Sequence, residues 1–269
     1  MKLQLKRLYI QIILFFSANL GAFGIKSGFC YPFFYCHACP AADAACPLRA
    51  IEVGVFNQNY NWKLILYPFL ILGFAGVITG RALCGWACPI GLLQRGTENT
   101  AKKVGKTSFA KKFENNKNEP YFRYIKYFIL IVFVILTPMF IEFMFTDICP
   151  VGILTGTIPT MLLNPGSYLP SSYFYPAMFI FILFIILILT IKRGWCRYFC
   201  PIGAILGVFN KISLLHVHVD KDKCIHCNAC VKACPMGIDV PNMDRTPECI
   251  LCGKCITTCP QNIISYKWR

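Results

Sequence analysis

Two runs of cysteine dominate the C-terminal end of the sequence. Cys224-x2-Cys227-x2-Cys230-x3-Cys234-Pro235 is followed by Cys249-x2-Cys252-x2-Cys255-x3-Cys259-Pro260. In this spacing three neighbouring thiolates wrap one [4Fe–4S] cubane, and the fourth reaches across to the other. The proline after each fourth cysteine turns the chain toward the partner cluster. The expected sets are Cys224, Cys227, Cys230 with Cys259, and Cys249, Cys252, Cys255 with Cys234. Zinc sites use separated cysteine pairs rather than two complete four-cysteine runs. The flanking His216–Asp220 and Ile263–Trp268 alternate as strands do. His216, His218 and His226 therefore read as structural.

A second set emerges from an internal repeat. Cys84-Gly-Trp-Ala-Cys88-Pro-Ile-Gly91 matches Cys196-Arg-Tyr-Phe-Cys200-Pro-Ile-Gly203, and each half has an upstream Cys-Pro, at Cys46-Pro47 and Cys149-Pro150. Both halves run in the same orientation, so an axis along the membrane normal would bring the two motifs face to face. Cys84, Cys88, Cys196 and Cys200 then supply the four thiols of a third cluster, or a group of buried or redox-active thiols. A third set comprises Cys36, Cys39, Cys46 and Cys149, with Cys30 spare. It reads either as a fourth cluster or as disulfides of an oxidising compartment. Glu142 and His37 are the candidates for handling quinol protons, because an acid beside lipid is functional by default. No Cys-x2-Cys-His occurs, so covalent haem is not indicated.

The elements that must position these residues are membrane helices. The 269 residues are 56% hydrophobic and only 14% charged, which is membrane composition. Four stretches are long enough to cross a hydrocarbon core: Leu8–Ile25, Trp62–Gly80, Tyr124–Ile141 and Tyr175–Ile191. Val151–Pro170 is also apolar, but its glycines and prolines mark it as an interfacial or re-entrant loop. Residues 2–25 resemble a signal peptide and are read as a retained helix.

Lys and Arg divide sharply. Three lie in residues 1–7, ten in 81–126 and eleven after Ile191, against Lys26, Arg49 and Lys63 elsewhere. The positive-inside rule puts both termini and the central loop on the cytoplasmic side of the inner membrane. The net charge of +15 belongs to that asymmetry, since no nucleic-acid recognition motif accompanies it. The basic run Lys102–Lys112 reads as a lipid-facing loop.

The expected architecture is an α-helical membrane domain of four transmembrane helices over residues 1–210, built as two parallel two-helix repeats. An α+β two-cluster ferredoxin-like domain follows over residues 211–269. With its paired Cys84–Pro89 and Cys196–Pro201 motifs and its tail from Lys221, the chain resembles the NapH family of ferredoxin-type membrane proteins. Its superfamily also contains NosR-like and CcoG-like polyferredoxins. The resemblance implies iron–sulfur electron transfer with a quinone pool or an outer redox partner, as a quinol dehydrogenase component working with other redox subunits. A redox sensor or metallocentre-assembly factor is the alternative that relatives in this superfamily imply.

Overall fold

The computed structural model describes residues 2–23, 31–33, 36, 46–58, 60–98, 100, 119–163 and 172–269. Cys30, His37, Cys39 and the Lys102–Lys112 run lie outside these residues.

Ahead of the tail, most of the described residues are helical. Helix α1 covers Lys2–Ala18, α2 Pro47–Val55, α3 Trp62–Thr79, α4 Ala82–Trp86 and α5 Pro89–Gly96. Then come α6 (Glu119–Phe140) and α7 (Pro150–Leu162), α8 (Phe174–Thr190) and α9 (Pro201–Phe209). Among the described residues two helices, α3 and α6, are long and apolar enough to cross a membrane. Only 17% of α3 and 22% of α6 is buried within the protein, whereas the core helix of a soluble domain would be mostly covered. Phe74, Leu70 and Phe128 are accordingly more than half exposed. Helix α8 is strongly apolar but one residue shorter than α3.

Two boundaries differ from the sequence expectation. Helix α1 begins at Lys2 rather than near Leu8, because its polar first turns have partners. Arg7 and Gln11 are fully buried, and both donate to Gly85 O, at 2.7 and 3.0 Å. The segment after Cys149, expected to be an interfacial or re-entrant loop, is helical to Leu162. Pro150 stands at its first turn, where a missing N–H costs nothing, and a π-helical stretch at Ile153–Thr157 absorbs Pro159. Likewise Leu130–Leu136 is π-helical just ahead of Pro138 in α6, the usual accommodation of a disrupted ladder.

The tail carries β1 (Leu215–Val219) and β2 (Ile264–Trp268), paired antiparallel with Leu215 opposite Trp268 and Val219 opposite Ile264. Between them lie α10 (Ala229–Ala233) and α11 (Lys254–Thr258). The two cysteine loops repeat one backbone path. His226 and Leu251 have φ of 51° and 45°, and Asn228 and Gly253, two positions further on, have φ of 56° and 67°. Left-handed residues at matching places coil each loop around its own cavity. His226 thus has a backbone role.

Candidate functional site

Ahead of the tail, each described Cys-Pro starts a helix. Cys46, Cys88, Cys149 and Cys200 all occupy the N-cap, in extended backbone conformation, with proline following at the first helical position. A sulfur placed there faces the unpaired amides and positive end of the helix dipole. Gly203 N donates to Cys200 Sγ at 3.4 Å in this way. The pattern suits a thiolate or a ligand sulfur, since helix N-termini stabilise that form.

The inner four thiols converge. Cys84, Cys88, Cys196 and Cys200 are each 6% exposed or less. Cys200 lies within electrostatic reach of Cys196, Cys84 and Cys88. Burial pushes the Cys88 thiol up to about 12, and Cys196 and Cys84 add to the rise. Gln94 Nε2 donates to Cys196 Sγ at 3.1 Å. Such thiols stay protonated alone; a coordinated metal centre deprotonates them.

The tail cysteines separate into two cavities. One is lined by Cys234, Cys249, Cys252 and Cys255, the other by Cys224, Cys227, Cys230 and Cys259. Each cavity takes its fourth thiol from the other run. Burial pushes Cys249 up to about 12, with Cys252 and Cys234 contributing. Among the described residues no three His, Cys, Asp or Glu side chains are close enough to hold one metal ion.

At the other end of α3, about 27 Å away by helical rise, Cys36, Cys46 and Cys149 form a buried group. Cys149 lies within electrostatic reach of the other two. Glu142 does not join them. It is exposed at the end of α6 with φ of 57°.

The comparisons with known proteins follow this geometry. One 4Fe-4S binding domain model matches twice, over residues 60–107 and 173–220, once for each half of the repeat. Two further 4Fe-4S binding domain models match residues 216–238 and 246–262. An uncharacterized Methanocaldococcus jannaschii protein is 30% identical over 180 residues, 66% of each chain. The ferredoxin-type protein NapH of Escherichia coli is 26% identical over 201 residues, covering 73% of this chain and 61% of its own. The methylamine utilization ferredoxin-type protein MauN of Methylorubrum extorquens is 27% identical over 200 residues, covering 72% and 60%.

The chain belongs to the NapH-like family of ferredoxin-type proteins.

It spans about two thirds or less of the length of these relatives. No solved structure matches it.

In this NapH-like chain the side chains that sequence reasoning missed are charged ones. Arg81 and Arg193 each stand three residues before the first cysteine of a repeat motif, and both are buried, at 0% and 1% exposed. Aligning the two halves was signal enough to find them. Glu248, just before Cys249, pairs with Arg81 at 3.1 Å and with Lys126. Glu98 pairs with Lys254 and lies 3.6 Å from Arg193. Glu119 pairs with Arg197 at 2.8 Å and with Arg123. Glu52, fully buried in α2, accepts from Thr146 Oγ1. Burial pushes its carboxyl up to about 7, close to neutrality and near the outer thiols. No sequence pattern marks it.

Proposed function

We propose that this NapH-like protein is a membrane-bound electron carrier. It would link a quinone pool or an outer redox partner to a solvent-reachable iron–sulfur site in its tail. The observation that carries this is the packing of the inner four-thiol motif directly on the second tail loop. Trp86 Nε1, inside the Cys84–Cys88 turn, donates to Leu251 O at 2.8 Å, and Tyr266 OH donates to the same oxygen at 2.6 Å. Gly85 lies so close to Ile250 O that no side chain fits between them. Asn210 Nδ2 donates to Cys249 O at 2.7 Å, and Gln4 Nε2 to Cys252 O at 3.1 Å.

Cys84, Cys88, Cys196 and Cys200 would hold one [4Fe–4S] cluster. Cys234, Cys249, Cys252 and Cys255 would hold a second, and Cys224, Cys227, Cys230 and Cys259 a third. When bound, such clusters supply one-electron carriers whose charge changes without bond breaking. The chain's own residues set their order. Cys84, Cys88 and Cys200 share one hydrophobic core with Cys252, and Cys234 and Cys249 pack against it. Val219, Val240 and Ile264 form a second core beside Cys230 and Cys259. Cys227 is exposed, so the last site faces solvent and a redox partner. Cys36, Cys46 and Cys149, with Cys39, would form a fourth redox centre at the far end.

The finer topology belongs to this proposal. Helices α1, α3, α6 and α8 would be the four spans, with both termini and the tail in the cytoplasm. The Lys and Arg distribution supports it, as does the packing of the α1 N-terminus on the tail.

Cys196→Ser tests the route. In proteoliposomes the variant should keep the reduced tail's EPR signals while electron transfer between tail and quinone falls at least tenfold. Undiminished transfer would show that the inner thiols are not on the path.

A further inference from the structure

Arg81 and Arg193 are repeat-related, and their side chains cross. Arg81, from the first half, donates through Nη2 to Cys196 O in the second. It lies over Gly203, where a Cβ would come within 2.8 Å of Nη2. Arg193, from the second half, lies over Gly91 in the first. A Cβ on Gly91 would sit 2.9 Å from Arg193 Nη1 and 2.6 Å from Cys84 O. Each guanidinium therefore occupies the space that the other half's Cys-Pro-Ile-Gly turn leaves open. The glycine in each motif is required for that approach.

The two arginines differ in how they are satisfied. Arg81 Nη1 also donates to Pro247 O at 3.0 Å and to Glu248 at 3.1 Å, leaving only Nε without a partner. Among the described residues Arg193 has no hydrogen-bond partner for any of its three side-chain nitrogens, although it is 1% exposed. Its nearest anion is Glu98 Oε1, 3.6 Å from Nε. A buried guanidinium with every donor unused is costly. Arg193 acts electrostatically on Cys84, and Arg81 on Cys84, Cys196 and Cys200. Arg193 thus lies within electrostatic reach of Cys84, and Arg81, which also hydrogen-bonds Cys84, within reach of three of the four thiols.

We propose that Arg193, supported by Arg81 Nε, donates hydrogen bonds to the sulfur of a cluster held by Cys84, Cys88, Cys196 and Cys200, and thereby raises its reduction potential. This rests on the assignment of a cluster to those thiols. Four thiolates around a cubane leave a net anion, and an added electron makes it more negative. Fixed cations and N–H donors favour that reduced form. The electron comes from the reductant, no bond forms or breaks, and arginine keeps its proton throughout. Arg193 is a potential-setting residue rather than a catalytic one.

The test is an EPR-monitored redox titration of the anaerobically purified full chain, with dithionite as reductant and iron counted in every sample. Arg193→Gln should keep its iron and lower the inner potential by at least tenfold in the reduction equilibrium, ~59 mV for one electron. The two tail potentials should not move. Arg193→Lys keeps the charge but loses the planar fork, so its potential should fall between the two. Full iron with an unshifted inner potential in the glutamine variant would overturn the proposal. If the glutamine variant loses iron, the lysine variant decides: a lowered potential supports the proposal and a wild-type one overturns it. Wild-type protein with only the tail's iron would instead overturn the cluster assignment beneath it.

Discussion

Replacing Glu248 by alanine should destabilise the protein by about 3–5 kcal/mol, the cost of stripping one partner from buried charges. Glu248 is the common anion of two buried cations, Arg81 at 3.1 Å and Lys126. Both side chains are fully buried, so neither can turn to water. Opposing charges hold its carboxyl below the usual carboxylate range, Arg81 foremost, although burial works against them. The residue also ties three parts together: Arg81 follows α3, Lys126 lies in α6, and Glu248 opens the second tail loop. The loss should appear as a lower unfolding midpoint in detergent and as earlier release of iron from the tail. Glu248→Gln, which keeps hydrogen-bonding capacity but not charge, should fall between. A midpoint within experimental error of wild type for the alanine variant would mean that this cluster does not latch the tail.

Gly85→Ala should have the second large effect, and a more local one. Gly85 sits between Cys84 and Cys88, against the carbonyl of Ile250 and 3.6 Å, by its would-be Cβ, from Cys252 Cα. The added methyl meets backbone on the tail side, which has no rotamer to yield. Overpacking of this kind costs typically about 1–3 kcal/mol even against side chains. Gly85 O also receives Arg7 Nε and Gln11 Nε2, so a shift there disturbs α1 as well. The expected result is a tail that keeps its own clusters but exchanges electrons with the inner site at least tenfold more slowly. Gly96→Ala is the control, because a Cβ there meets nothing within 4 Å. Equal transfer rates in the two variants would contradict close docking of the tail on the Cys84–Cys88 turn.

What was legible in the sequence was whatever is encoded locally or twice. The grouping of Cys234 with the later run and Cys259 with the earlier one follows from short spacings and a proline. The inner set was legible because the chain states it in both halves. The charges were not. Arg81, Arg193 and Lys126 contribute to the asymmetry that assigns sides, yet they are buried in ion pairs rather than solvated. Their partners Glu98 and Glu248 come from distant parts of the chain, so no window of sequence joins them. Glu52 was missed because one acid among apolar residues looks the same whether it reaches water or Thr146. The helix after Cys149 was not legible for the opposite reason, since π-helical turns accommodate prolines that would otherwise end a helix.

The central claim is that the inner four thiols carry a redox centre beside the tail's two. Iron and acid-labile sulfide per chain, measured on anaerobically purified protein, test it most directly. The account predicts about 12 iron atoms, or about 16 if the outer thiols are also loaded. About 8 would confine the clusters to the tail and contradict it.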